Sequence, residues 1–197
     1  MKIVVAMDSF KGSLKAHEAC QVVSNAVREA LSDVKIVTKP MADGGEGTAR
    51  AMIETGGGLW IPRMVMGPLR QMQVEAGFAW FADGTALVEM ASASGLELLK
   101  PEQFNPLKTT TYGTGQLMKA AARHGAQKIL LAVGGSATVD SGVGAAMALG
   151  WQFRDHKKNP VPLGGGGLEE IAEIIRPGDS GLGSRQRASN GPAGRAC

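Results

Sequence analysis

Three short stretches of the sequence mix carboxylates, hydroxyls and glycines densely enough to handle phosphate. They are Asp8, Ser9, Lys11 and Ser13; Asp43, Gly44, Gly45 and Glu46; and Gly134, Gly135, Ser136, Thr138 and Asp140. Phosphoryl transfer needs this mixture. Backbone N–H groups and a cation such as Lys11 meet phosphate oxygens, carboxylates hold metal, and one carboxylate orients the attacking hydroxyl. Asp140 would repel a phosphate, so it suits Mg²⁺ or a proton better than the phosphate itself. Each stretch also has a plainer reading, as a tight turn whose acid caps the next helix. The threefold recurrence of the construction favours the chemical reading.

Strands and helices must hold these loops in place. Residues 129–133 form an unbroken apolar run, which predicts a strand buried on both faces of a parallel sheet. Gly134 and Gly135 end it, and residues 142–149 continue as small, helix-compatible side chains. A βα loop of this kind presents N–H groups at a helix N-terminus, where the dipole favours an anion. Residues 2–5 and 34–38 read as strands ahead of the first two stretches. Between them, apolar or small residues at 16, 19, 20, 23, 26, 27, 30 and 31 predict a helix. Cys20 falls on its buried face and His17 on its polar side. A further helix from Thr48 meets a glycine stop at 56–58. In an open α/β sheet such strand-end loops gather at the carboxyl edge.

The middle of the chain changes character. Residues 59–66 look extended, and Met72, Val74, Ala76, Phe78 and Trp80 alternate on one face of a predicted strand. Asp83-Gly84 predicts a two-residue hairpin turn, and residues 86–90 the returning strand. We expect this antiparallel piece to form a small subdomain or flap, with Trp60 and Trp80 in its core. Residues 109–115 set hydroxyls and glycines at the start of a helix that runs to about His124. Residues 168–175 read as a last amphipathic helix, closed by Pro177. The expected fold class is α/β, a parallel-sheet domain with a second α/β subdomain containing the antiparallel hairpin. Its parts are a first α/β part over 1–58, the β-rich subdomain over 59–110, a βα glycine-loop part over 111–177, and a tail over 178–197.

Composition narrows the function further. Glycine supplies 28 of 197 residues, about twice its usual ~7% share, and these glycines collect after predicted strands. No apolar run reaches the ~18 residues of a membrane span. Asp8 interrupts the short apolar start, so no signal peptide is expected and the cytoplasm is the expected location. Cys20 and Cys197 make neither a metal pattern nor a disulfide framework. Of the net charge of +3, residues 178–197 supply +2, leaving +1 for the remainder. Those remaining basic residues are scattered and not interleaved with aromatics, which argues against nucleic acid as a partner. Lys11-Gly12-Ser13 lacks the upstream glycine of a P-loop. Gly142-Val143-Gly144 is followed by Met147 where a dinucleotide fingerprint needs Gly or Ala. A flavin or nicotinamide oxidoreductase is therefore a minor alternative, which a colourless protein would count against.

Four motifs in order bring a family into view. Asp8-Ser9-Phe10-Lys11-Gly12-Ser13-Leu14, Met41-Ala42-Asp43-Gly44-Gly45-Glu46-Gly47-Thr48, Tyr112-Gly113-Thr114-Gly115 and Gly134-Gly135-Ser136-Ala137-Thr138 resemble the bacterial glycerate kinase family. The resemblance covers roughly residues 1–177. It implies ATP-dependent phosphorylation of glycerate, to the 2-phosphate, with ATP and Mg²⁺ as cofactors. It also implies two α/β domains with the site in the cleft between them. On this basis Asp43, Glu46 and Asp140 are the candidate catalytic residues, with Asp43 and Asp140 also candidate Mg²⁺ ligands. Asp8, Ser9, Lys11, Ser13, Gly44, Gly45, Gly134, Gly135, Ser136 and Thr138 are candidates for binding substrate or phosphate.

Some positions depart from the family pattern. Met7 stands where the family has proline, Lys15 where it has a small hydroxyl residue, and Arg70 where it has glycine. Val139-Asp140-Ser141 replaces Asn-Asp-Gly. Family members are considerably longer, and the motifs of their second half have no counterpart here. Residues 178–197 carry Leu182 as their single large apolar residue and show no periodicity. They read as an unstructured tail, produced by a shifted frame or a truncation. An incomplete fold would leave strands 2–5 and 129–133 uncovered, with self-association through the exposed core. The alternative function is an inactive fragment, or a nucleotide- or phosphate-binding module without catalysis.

Overall fold

The computed structural model describes residues 1–10 and 12–178. Lys11 and the expected irregular tail beyond 178 lie outside the described residues. The chain runs β1 (Lys2–Val5), α1 (Ala16–Ala30), β2 (Lys35–Thr38), α2 (Thr48–Gly56), β3 (Leu59–Met66), β4 (Gln73–Trp80) and β5 (Thr85–Glu89). It continues through α3 (Met90–Ser94), α4 (Tyr112–His124), β6 (Lys128–Ala132), α5 (Val143–Ala148), β7 (Gln152–Arg154) and β8 (Glu173–Ile175). The fold is α/β, as expected. Among the described residues no helix is long and apolar enough to cross a membrane.

β1 and β2 pair in parallel, Val4 opposite Val37, with α1 as the crossover. The apolar stripe of α1 buries Ala19, Cys20 and Ser24. Cys20 is a core residue, its Sγ 3.6 Å from the carbonyl oxygen of Val5. The larger sheet has the order β3-β4-β5-β6. Its first three strands are antiparallel, and β6 joins β5 in parallel, Val88 opposite Leu131. β5 and β6, expected in separate parts, are therefore neighbours in one sheet.

The core lies on both faces of β4 and β5. On one face Phe78 and Val88 pack with Leu117 and Ala121 of α4, all fully buried. On the other, Ala79 and Leu87 pack against Ala49 of α2. The strict alternation of β4 lapses at Gly77 and Ala79 because α2 covers the face that alternation would leave in water. α4 lies so close to β3 that a Cβ on Gly113 would overlap the Met66 carbonyl oxygen.

Four local expectations are corrected. The β4–β5 loop is not a two-residue turn. Phe81 N–H bonds Thr85 O at 2.9 Å across three residues, with Gly84 at φ +79°. Asp83 stabilises this form by accepting from Thr85 N–H (2.9 Å) and Oγ1 (3.0 Å). Trp60 is not core. It sits on the edge strand β3 and is 44% exposed, while Trp80 packs on the main cluster.

β6 is not buried on both faces either. It is the other edge of its sheet, where Leu131 is 39% exposed. Residues 168–175 do not form a helix. A 3₁₀ turn over Gly165–Glu170 precedes β8, which pairs antiparallel with β7, Ile174 opposite Phe153. Eight residues ending in two β-branched side chains hold a strand pairing better than a helix without other support.

Two apolar edges face solvent. Val4 on β1 is 56% exposed, and Val133, just past β6, is 60% exposed. Open strands with apolar side chains template further pairing. We expect the isolated chain to bind 1-anilinonaphthalene-8-sulfonate and to self-associate with concentration in sedimentation velocity. A dye-silent monomer at all concentrations would show these edges to be inert.

Candidate active site

The loops after β1, β2 and β6 meet. Lys39 N–H bonds Val5 O at 2.8 Å and Met41 N–H bonds Met7 O at 2.9 Å, so the first two loops leave their strands side by side. The third loop is seated on the second through its backbone. Gly134 N–H donates to Gly44 O at 2.9 Å, and a Cβ on Gly134 would stand 2.8 Å from the Cα of Gly45. A side chain there would push the loops apart. Two further bonds hold the third loop from behind: Leu96 N–H to Gly135 O and Ala137 N–H to Ser94 O, both 2.9 Å.

Beside this junction a cavity of about 400 Å³ is lined by Ser9, Ser13, Lys15, Glu46, Arg50 and Glu97, among others. Asp43 is exposed, its Oδ1 accepting Gly45 N–H at 3.1 Å. Asp8 is exposed next to Ser9, whose N–H it accepts at 2.6 Å. Gly135 and Ser136 are exposed on the facing loop. Lys15 Nζ lies 3.6 Å from Glu46 Oε1. The structure thus brings Ser9, Ser13, Asp43, Gly44, Gly45, Glu46, Gly134, Gly135 and Ser136 together, while Lys11 lies outside the described residues.

Glu97 was missed from the sequence. It sits in a 3₁₀ turn over Leu96–Leu98, which the bond from Leu96 to Gly135 carries to the site. A hydrogen bond in which Glu97 shares its proton with the Glu46 carboxylate raises the pKa of Glu97. Burial and the Glu46 charge act in the same sense, and Lys15 opposes them. Two carboxyl groups sharing a proton can hold a cation or pass that proton. No local motif marks Glu97, because only the strand order places it.

Asp140 has a different position from the other acids. It is 1% exposed. Its carboxylate accepts from Thr111 N–H (2.8 Å), Thr111 Oγ1 (2.9 Å), Thr110 Oγ1 (3.1 Å), Gly142 N–H (3.1 Å) and Gly144 N–H (3.2 Å). These donors belong to the starts of α4 and α5, so Asp140 ties both helices together. Its lone pairs are occupied and it does not reach the cavity. The expected roles in catalysis and Mg²⁺ binding do not fit this geometry, which is that of a cap shared between two helices. Thr138 is similarly engaged, its hydroxyl donating to Thr109 O at 2.5 Å and accepting Asp140 N–H at 3.2 Å.

A second buried acid, Glu89, was also missed. It ends β5, is 6% exposed, and accepts Ala49 N–H at 2.5 Å at the first turn of α2. That N-terminus is therefore occupied by a carboxylate of the chain itself. Burial raises the Glu89 pKa, partly offset by the α2 N–H groups. The available signal was an acid closing the otherwise apolar strand Thr85–Glu89. Among the described residues no cluster of three or more His, Cys, Asp or Glu side chains could hold a metal.

Two outcomes follow from these acids. Asp140→Asn replaces an acceptor oxygen with a donor facing N–H and O–H groups, so it should cost about 1–3 kcal/mol in denaturant unfolding. A cost within ~0.5 kcal/mol, the range of ordinary surface changes, would contradict the clamp. For Glu89, a folded-state pKa above the ordinary 4.5 means that its contribution is fullest below that value. That contribution is lost as pH rises through the raised pKa. Glu89→Gln should therefore gain stability relative to wild type between pH 4 and pH 8, read as thermal midpoints. A pH-independent difference would show that burial does not govern this group.

Known proteins resemble this chain over most of its length. A family model described as the glycerate kinase family matches residues 3–183, six residues beyond the end expected from the motifs. The glycerate 2-kinase of Escherichia coli K12 is 45% identical over 175 residues, covering 88% of this chain and 46% of the relative. The glycerate kinase of Bacillus subtilis is 43% identical over 188 residues, covering 95% and 48%. A crystal structure from Salmonella typhimurium LT2, assigned to glycerate kinase 2, superposes with a TM-score of 0.72 at 44% identity. It covers 94% of this chain and 49% of that one. The chain spans about half the length of the curated relatives it matches. With the family model matching nearly all the described residues, this chain belongs to the glycerate kinase family.

Proposed function

We propose that this protein transfers a phosphoryl group from ATP to glycerate, giving 2-phosphoglycerate, as a cytoplasmic step in organic-acid breakdown. The observation that carries this reading is the backbone contact between Gly44-Gly45 and Gly134 beside the 400 Å³ cavity. The cavity itself gathers Ser9, Ser13, Lys15, Glu46, Gly47 and Glu97 around a space of a size that suits a small acid and a phosphate chain. The name of the Escherichia coli relative supports position 2 as the acceptor.

Phosphoryl transfer depends on positioning and on charge stabilisation more than on covalent chemistry by the protein. We assign Ser9, Ser13 and the N–H groups of Gly135 and Ser136 to oxygens of phosphate or glycerate. Asp8 orders the Ser9 backbone from outside. Asp43, which is exposed, orients the glycerate hydroxyl and receives its proton. Asp43, or the Glu46–Glu97 pair, would hold Mg²⁺ only together with substrate phosphates, since no three such side chains gather to hold a metal among the described residues. Magnesium is commonly held by one or two carboxylates together with substrate phosphates, so no closed protein cage is required. Bound ATP with Mg²⁺ would supply the phosphoryl group and neutralise its charge. Asp140 acts as a positioning residue, keeping α4, α5 and the loop over 134–138 in register. Lys15 balances Glu46, its Nζ lying 3.6 Å from Glu46 Oε1.

The test is a purified-protein assay with D-glycerate, ATP and Mg²⁺, reading ADP release and identifying the product by phosphorus NMR. We expect 2-phosphoglycerate, and a fall of about 10²-fold or more in turnover for Asp43→Asn with the fold unchanged. Near-normal turnover in that variant would remove Asp43 from the reacting centre. Binding of ATP without any transfer would assign the chain to phosphate binding without catalysis.

A further inference from the structure

A second cleft lies away from the glycine loops, between β3 and α4. It encloses about 530 Å³, and its polar lining is Arg63, Tyr112, Gln116, Lys119, Arg123 and His124. Among the described residues no carboxylate lines it. Among the described residues none of these basic side chains pairs with an acid. This is unusual in a chain whose charge is nearly balanced once residues 178–197 are set aside. Spacing along the helix explains part of it. Gln116, Lys119 and Arg123 follow one another at intervals of three and four, so α4 turns them to one side.

Several of these groups are already held in place. The Arg63 guanidinium stands over the Phe78 ring, 5.8 Å from its centroid, and donates to Pro62 O at 2.7 Å. His124 meets Phe78 and Trp80 edge-on at 5.7 and 4.8 Å. Lys119 Nζ donates to Ala148 O, at the last turn of α5, at 3.2 Å. Gln116 Oε1 accepts Met66 N–H at 2.7 Å, which commits its oxygen and leaves its amide as a donor. The cleft therefore offers donors and positive charge on side chains already held by their neighbours. Like charges gathered without counter-charge repel one another, and an anion bound among them relieves that repulsion.

We infer that this cleft binds a small phosphate-bearing anion at a site separate from the glycine-loop cavity. Guanidinium forks match phosphate oxygens in pairs, and a lysine adds a point charge. β3 and β6 are the two edges of the four-stranded sheet. Three strand spacings, about 14 Å in all, separate the cleft's strand from the strand that carries Gly134. A bound anion would bridge β3 to α4, and through Lys119 would reach the end of α5, whose start Asp140 holds. The volume favours a small molecule over a nucleic-acid strand. Among the six polar residues only Tyr112 and His124 carry aromatic rings, and His124 is already packed against Phe78 and Trp80, too little for a run of stacked bases.

Pyrophosphate is a suitable probe. We expect saturable binding by calorimetry, with amide shifts over residues 63–65 and 116–124 in nitrogen–proton NMR spectra. Arg63→Gln combined with Arg123→Gln should weaken it by about tenfold or more. Both side chains are exposed, so the fold should survive, which circular dichroism and the thermal midpoint would verify. Shifts confined to the loops over 43–47 and 134–138 would overturn the proposal, as would an affinity unchanged in the double variant. Tight binding of a single-stranded oligonucleotide, lost in the same variant without any response to pyrophosphate, would also overturn it in favour of a nucleic-acid surface.

Discussion

The buried carboxylate of Asp140 is the constraint on which the rest of the site depends. A carboxyl group that is 1% exposed is tolerated only if hydrogen bonds replace its lost hydration. Five donors from Thr110, Thr111, Gly142 and Gly144 do so. Meeting that requirement sets where α4 and α5 begin. It also accounts for the small residues around it. A Cβ on Gly144 would overlap the Thr110 hydroxyl, and one on Gly115 would overlap the Ala145 carbonyl oxygen. The departure from the family at Val139 and Ser141 leaves this acid in place, with Ser141 adopting φ +52° beside it.

The proposed chemistry is built outward from that anchor. The loop over 134–138 is fixed on one side by Ser94 and Leu96 and on the other by Gly44, so its exposed backbone has little freedom left. Positioning of this kind removes most of the reorganisation that phosphoryl transfer would otherwise require. The acids divide by environment. Asp140 and Glu89 are buried and hold helix starts, whereas Asp43, Glu46 and Glu97 stand where a ligand can reach them. Residue type alone does not separate these two groups, since all five are acids close to glycines or strand ends.

The sheet edges belong to the same account. β1 and β2 form a two-stranded parallel sheet, and β6 ends the larger one. Parallel strands are ordinarily covered on both faces. Here Val4, Leu131 and Val133 are exposed instead. These edges lie next to the loops that form the cavity, so whatever covers them also borders the site. The relatives, about twice as long, carry further chain that could do so.

The sequence by itself determined the local elements and the family. The helical period of α1, the alternation at the start of β4 and the glycine stop after α2 are short-range patterns, and each appears where the spacing placed it. The glycine loops were legible for the same reason, because a strand followed by glycines and hydroxyls is a contiguous signal. Tertiary structure alone decided which acids are buried and which stay exposed. Asp140 reads as catalytic until Thr110 and Thr111, thirty residues earlier, close over it. Glu97 reads as nothing until strand order carries its turn to Gly135. The paired strands β7 and β8, read as a helix on one side, were decided in the same way. Eight residues carry too little local preference to outweigh a partner that supplies backbone hydrogen bonds from twenty residues away. Burial and pairing depend on contacts distant along the chain, and local spacing does not encode them.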